Sequence, residues 1–372
     1  MNTKRILLLV ILSATFLQCR KLKKVVTKKS ETFNDETNNF ILQKRLHKLK
    51  EYSQKATKRL AALSDYSNFY NKYLTEILRS RVPGTVGHAR VKNFIIRKLQ
   101  EYNWDVKTQN FTMWTPLGPK NFTNIIGTLN PRADRVLALA AHYDSKILPV
   151  VNGKFFTAAT DSAVPCAMLL DFARDLSDKA KEITSTLEQV SPQLLFLDGE
   201  EAFVEWTKTD SIYGSRYMAA SMSNASHWNP KLALHEISQL DSMDAFVLLD
   251  LLGAKDPTFY NWFPTTSRLY ESLKKIEKNL RAEGQLFGVN HKHYSGHYFT
   301  GQRPEDIGIY GKIDDDHVPF MQKGVPILHI IPYPFPSTWH TLNDDEEHLD
   351  PTTIEDLLKI FRHFIFSYFS LE

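Results

Sequence analysis

Residues Gln193 to Glu201, QLLFLDGEE, run from an apolar segment directly into a glycine and three carboxylates. Short apolar runs rich in Leu, Val, Ile and Phe, separated by helical patterns, read as strands of a mainly parallel sheet. Three further runs share this character: VLALAAHYD (136–144), AFVLLDLLG (245–253) and PILHIIPYP (326–334). Each of the four brings a potential metal ligand to its end or just past it, namely His142, Glu201, Asp250 and His340. A fifth, Asp161, opens a helix-like stretch after FFTAATDS (155–162). In open α/β sheets ligands bind in the crevice at the carboxyl ends of the strands. Side chains far apart in sequence are therefore expected to meet on one rim.

Outward from these strands the pattern alternates. Helical spacing runs from Ile41 to about Arg81, where Pro83-Gly84 marks a turn, and resumes from Ala89 to Tyr102. VKTQNFTMWT and FTNIIGTLN then read as a hairpin closed by Pro116–Pro119. Helices are expected over Ser162–Lys179, with Pro165 in the first turn, over the amphipathic Thr266–Glu283, and over Thr352–Phe369. Asp350 and Pro351 suit the N-cap and first position of that last helix. His317 and Pro319 point to one more helix start. No internal repeat is evident, so residues 41–372 are expected to form one catalytic domain.

The chain has 372 residues, 42% of them hydrophobic, enough to bury a full core, and a formal net charge of only +4. Much of the excess lies in RKLKKVVTKK (20–29), and no basic stripe alternates with aromatics elsewhere, which argues against nucleic-acid binding. MNTKR followed by ILLLVILSATFLQC (6–19) looks like a signal peptide or short signal anchor over residues 1–19. The apolar run is shorter than the roughly 20 residues a membrane span needs, so no stable insertion is expected unless the leader is retained. The destination is then secretion or the secretory lumen, or Golgi retention by an uncleaved anchor. The basic stretch that follows sits awkwardly with translocation, because positive charge tends to stay cytoplasmic. Residues 20–40 are basic, then polar, without the apolar content of a packed segment. Only Cys19 and Cys166 occur, so loss of the leader leaves Cys166 with no intrachain partner. Three sequons, at Asn110, Asn121 and Asn224, agree with export.

A catalytic zinc needs well-oriented N or O ligands and keeps one position for substrate. Any single acid at a strand end is more often a helix cap or loop former. Joint occurrence of Asp161, Glu201 and His340, with Asp250 on a fourth strand end, favours metal binding. His142 followed by Asp144 is either a ligand with its orienting carboxylate or a turn after a strand. Glu200-Glu201 is the sharpest local signal. Neighbouring side chains at a strand end point different ways, so one carboxylate can hold metal while the other faces substrate as general acid/base. Asp314-Asp315-Asp316-His317 is a solvated loop, a cap or a cation site. In PFPSTWH (334–340) prolines fix a loop in which aromatics flank a histidine, the makings of a specificity pocket or of plain packing.

Taken together these motifs resemble the animal-type glutaminyl-peptide cyclotransferases, the glutaminyl cyclases. The matching pieces are HYDSK (142–146), ATDSAVPCAMLL (159–170), DGEEAF (198–203), DSIYGSR (210–216), LLDLLGAKDPTF (248–259), DDHVPF (315–320) and GVPILHIIPYPFPSTWHT (324–341). The resemblance implies an α/β three-layer sandwich with a mixed, mostly parallel central sheet, related to zinc aminopeptidases. It implies cyclisation of N-terminal glutaminyl residues, more weakly glutamyl ones, by a monomer with one Zn2+ acting on peptide substrates. Carried over by motif, Asp161, Glu201 and His340 are the zinc ligands and Glu200 the acid/base. Asp250 and Asp315 form a hydrogen-bonded carboxylate network near the leaving group, and Trp206, Phe335 and Trp339 line the substrate pocket. Two departures stand out: Ala141 where vertebrate members have a cysteine that bridges to the one in AVPC, and Asp314 where glutamate is usual. The first implies a free, buried Cys166.

Two other readings fit the same fold. A zinc aminopeptidase would use His142 and Asp250 for a second ion; SAVPC after Asp161 and Trp339 before His340 favour the cyclase. A non-catalytic binding relative would be expected to lose ligands or the base, and this chain keeps Asp161, Glu200, Glu201 and His340.

Overall fold

The structure, a computed structural model, describes residues 40–371 apart from 41, 45, 181–183, 228–236, 293–295, 310 and 312. The expected leader over 1–19, and all of 20–40 except Phe40, lie outside the described residues. The chain divides into two compact units, Met1–Lys48 with Asn229–Glu236, and Leu49–Trp228 with Ile237–Glu372. In the first unit residues 42–44 and 46 are helical, and Lys44 Nζ lies 5.7 Å from the centre of the Phe40 ring.

The second unit is built on a six-stranded sheet. Its strands are β1 (Asp105–Thr115), β2 (Gly118–Thr128), β3 (Arg135–His142), β4 (Val190–Leu197), β5 (Met243–Leu249) and β6 (Ile327–Ile330), in the order β1-β2-β4-β3-β5-β6. β1 and β2 form the expected hairpin, and β2 joins β4 antiparallel. The pairs β4–β3, β3–β5 and β5–β6 are parallel. The apolar runs of the sequence are this parallel half, and every residue of β3 and β5 is buried.

Alternation along each strand separates two cores. Leu137, Leu139 and Ala141 of β3 join Leu194, Phe196, Val247 and Leu328 on one face. Helices α1 (Val86–Glu101), α2 (Val164–Lys179), α4 (Ser267–Ala282) and α5 (Pro351–Tyr368) cover that face. Val136, Ala138 and Ala140 join Leu195, Leu197, Phe246 and Leu248 on the other, under α3 (Tyr213–Asn224) and the short helix Val318–Met321. The result is helices, sheet, helices. Asp350 caps α5, its Oδ1 accepting from Thr353 N at 2.7 Å, with Pro351 at the first position as the sequence indicates.

Three elements differ from expectation. The helical stretch 41–81 is broken: residues 47–53 are irregular and helix Gln54–Ala61 ends before a second run over 66–77. Ser53 and Asp65 each cap a new start, competing locally with a continuous helix. The regular helix after Asp161 begins at Val164, because Asp161 and Ser162 leave helical dihedrals to turn their side chains toward the sheet crest. PILHIIPYP is strand only over Ile327–Ile330, since Pro332 and Pro334 cannot donate to a ladder. The chain beyond it becomes a loop, and that loop carries the pocket aromatics.

Candidate active site

Every strand of the parallel half delivers functional residues at its carboxyl end. β4 ends in the tight turn Asp198-Gly199-Glu200-Glu201. Gly199 has φ +71°, and a Cβ there would meet the Phe122 ring at 2.4 Å, so only glycine passes. Asp198 is tied to His88 Nε2 (2.8 Å), Thr123 N (2.6 Å) and Tyr143 Oη (3.0 Å). Asp144, just past β3, accepts from the backbone N–H groups of Glu200 (3.1 Å) and Glu201 (3.3 Å). The two adjacent glutamates are thereby fixed from both sides. Four of the eight non-glycine residues with positive φ among those described, Ala158, Ile212, Leu251 and His340, border this crest, where such conformations concentrate at functional sites.

Asp161, Glu201 and His340 converge. His340 Nε2 lies 3.3 Å from Asp161 Oδ2 and 3.3 Å from Glu201 Oε1. Both carboxylate oxygens are buried without a hydrogen-bond partner. Buried polar atoms are normally satisfied, and two orphaned oxygens aimed at one imidazole nitrogen are what a divalent metal would satisfy. The remaining oxygens are held: Asp161 Oδ1 by His142 Nε2 at 2.9 Å, Glu201 Oε2 by Lys146 Nζ at 3.2 Å. His142 thus holds Asp161 through Nε2 and lies 3.4 Å from Asp144 through Nδ1. His142, Asp161 and Asp250 also offer donor atoms within 4.8 Å of one another, a second conceivable metal set.

Glu200 stands beside this group, buried. Burial raises its pKa well above the ordinary range; His142 opposes the shift, and the Glu201, Asp315 and Asp316 carboxylates add to it. Asp250 is pushed up to about 6 by burial and by Asp315. Asp250 and Asp315 line the same pocket, and Asp315 is one of the causes of the upward shift of Asp250. Asp250 accepts from Ser162 Oγ and Leu251 N, while Asp315 pairs with His329 Nε2 at 2.7 Å and accepts from Asp316 N. Their coupling is electrostatic.

A pocket of about 400 Å³ brings all nine expected residues together: Asp161, Glu200, Glu201, Trp206, Asp250, Asp315, Phe335, Trp339 and His340. Trp206 and Trp339 are 38% and 39% exposed and mark its mouth. Phe335 and Trp339 meet edge to face, and Trp339 stacks on His340 with ring centres 4.0 Å apart. Lys146, Leu251, Ile313, Asp314 and Ile331 complete the lining without having been assigned roles. Arg81 was missed altogether. Fully buried, it donates to the backbone carbonyls of Thr157 (2.5 Å), Ala158 (2.9 Å) and Asp161 (3.1 Å), pinning the segment that carries Asp161. A lone arginine before a Val-Pro-Gly turn carries no sequence signal of this. Cys166 is free and buried, its Sγ 3.1 Å from His142 O, and burial pushes the thiol up to about 12.

Residues 124–365 match peptidase family M28. The chain is 42% identical over 333 residues to a glutaminyl-peptide cyclotransferase of Bos taurus, covering 87% of this chain and 89% of the relative. It is 39% identical over 316 residues to a glutaminyl-peptide cyclotransferase-like protein of the same animal, covering 84% and 79%. The crystal structure of Macrostomum lignano glutaminyl cyclase superposes with a TM-score of 0.75 at 33% identity, covering 87% of this chain and 95% of that one. The chain thus belongs to peptidase family M28 and, within it, to the glutaminyl-peptide cyclotransferases.

Proposed function

We propose that the chain converts N-terminal glutaminyl residues of peptides and proteins to pyroglutamate with release of ammonia, and glutamyl residues more weakly with release of water. The observation that carries this is the placement of buried Glu200 beside the Asp161–Glu201–His340 donor set inside a pocket with aromatic walls. The substrate's α-amine nitrogen bonds to the carbonyl carbon of its own side-chain amide, the bond from that carbon to the amide nitrogen breaks, and ammonia leaves. Because nucleophile and electrophile share one residue, proximity is built in and no activated water is required.

Glu200 takes the proton given up by the amine and returns it to the departing ammonia; its raised pKa suits both directions. Asp250 and Asp315 face the same space and offer acceptors to the amine and to ammonia. Trp206, Phe335 and Trp339 hold the side-chain stem and shed water. Asp161, Glu201 and His340 would hold one Zn2+, which when bound supplies Lewis acidity toward the γ-carbonyl oxygen. In this reading residues 41–372 are one catalytic domain acting as a monomer. Residues 1–19 route it to the secretory pathway, as a cleaved signal or a retained anchor. No helix among the described residues is long and apolar enough to cross a membrane.

Mass spectrometry of a Gln-initiated peptide incubated with the protein tests the proposal: loss of one ammonia is expected, and its absence with metal-loaded protein ends the reading. The His142–Asp161–Asp250 set keeps one alternative in play, a two-metal aminopeptidase. Release of a free amino acid in the same assay would select it.

A further inference from the structure

The hairpin β1–β2 carries two of the three sequons, and its register interlocks them. Asn110 lies opposite Thr123, and Thr112 opposite Asn121. Thr123 Oγ1 donates to Asn110 Oδ1 at 2.9 Å, and Thr112 Oγ1 donates to Asn121 Oδ1 at 2.7 Å. Each sequon's hydroxyl therefore holds the carboxamide oxygen of the other. Both asparagines are exposed, and among the described residues neither Nδ2 makes a hydrogen bond. The third sequon differs, because Asn224 Nδ2 donates to Ala220 O at 3.0 Å at the end of α3. The opposite face of the hairpin is committed to packing: Phe111 and Phe122 stack on Tyr217 and Tyr213.

The sequon face also carries an unexplained aromatic. A period of two places Thr112 and Trp114 on one face, and Trp114 pairs with Pro119, the same-face neighbour of Asn121. Trp114 is 79% exposed. We propose that this face is an N-glycan platform: Asn121 bears an asparagine-linked oligosaccharide whose first sugar lies over the Trp114 indole, with Asn110 a second acceptor beside it. The apolar C–H face of a pyranose can pack on the flat apolar face of an indole, whose N–H stays free for water.

Attachment forms a bond from Asn121 Nδ2 to the anomeric carbon of a lipid-pyrophosphate-linked oligosaccharide. The carbon–oxygen bond to pyrophosphate breaks, its electron pair leaves with the lipid pyrophosphate, and one Nδ2 proton goes to the transferase's base. Oδ1 is untouched, so the hydrogen bond from Thr112 survives and the folded hairpin accepts the modification. The proposal rests on the export route read from the leader and is independent of the reaction.

The test is expression of the full chain with its own leader in insect cells, recovery from cells and medium together, and peptide-N-glycosidase treatment in 18O-water before peptide mapping. Recovery of Asn121 as 18O-labelled Asp is expected; an unmodified Asn121 overturns the proposal. Acrylamide quenching of tryptophan emission should rise on enzymatic deglycosylation of the native protein and not rise for W114F; equal responses would remove the indole from the proposal. N121Q should lose the added mass while keeping wild-type kcat/KM on a Gln-peptide. Failure of the glycan and failure of the cyclase reading are thus separately visible.

Discussion

Two groups of buried carboxylates in this molecule are treated in opposite ways. On the helical side, Asp171 and Asp175 of α2 meet Arg362 of α5 and Arg174, and all four of their oxygens face a guanidinium nitrogen. Arg362 Nη2 holds Asp171 Oδ2, Arg362 Nε lies 2.6 Å from Asp175 Oδ2, and Arg174 Nη2 lies 2.9 and 2.8 Å from Asp171 Oδ1 and Asp175 Oδ1. At the sheet crest Asp161, Glu200, Glu201 and Asp250 crowd together with far less compensation, and two oxygens share a single imidazole nitrogen, His340 Nε2, at 3.3 Å. The first group is closed on itself and ties two helices together. The second is compensated less, at a cost in desolvation, and its carboxylates line the pocket.

That contrast can be broken experimentally, and the largest effect belongs to the crest group. Glu200→Gln keeps shape but removes the titrating carboxylate; turnover should fall about 100- to 10,000-fold, with the melting temperature nearly unchanged. Activity within a few-fold of wild type would take Glu200 out of proton transfer. In the closed group, Arg362→Met leaves two buried acids short of a counter-charge, and denaturant unfolding should show a loss of about 3–5 kcal/mol. Its folded fraction should retain wild-type kcat, since nothing in that network reaches the pocket.

Arg81→Lys sharpens the comparison from the side of the segment that carries Asp161. A lysine cannot span three carbonyls, so chelator competition should report metal affinity lowered about 10- to 100-fold, the range for groups that orient ligands. Affinity equal to wild type would reduce Arg81 to a folding role. The smallest effect concerns protons. The nucleophile must be the neutral amine, whose free pKa is about 8, so kcat/KM should fall roughly tenfold per pH unit on the acid side of that value. A profile flat from pH 6 to 8 would mean that amine deprotonation does not limit the reaction.

Much of the crest is legible in the chain because its signals are local. Apolar runs ending in Asp, Glu or His mark buried parallel strands whose ends face a crevice, and strand geometry alone turns adjacent Glu200 and Glu201 different ways. The proline-bounded loop 332–340 was harder: its apolar start reads as strand, yet the prolines turn it into the pocket wall. Lys146 lies within a recognisable motif, but its hold on Glu201 spans 55 positions. Arg81 gives no warning, because its partners lie 76 to 80 residues away and are backbone carbonyls, which have no side-chain identity to read.

Order along the chain settled which residue types would reach the sheet crest, since hydrophobic periodicity and turn chemistry act over a few residues. Which oxygens share the His340 nitrogen, and which arginine anchors the segment that carries Asp161, were decided only by packing. Those outcomes depend on distances between segments that the backbone brings together after the sheet has formed. Hydrogen bonding acts over about 3 Å and charge coupling over roughly 10 Å, distances in space that no linear pattern encodes.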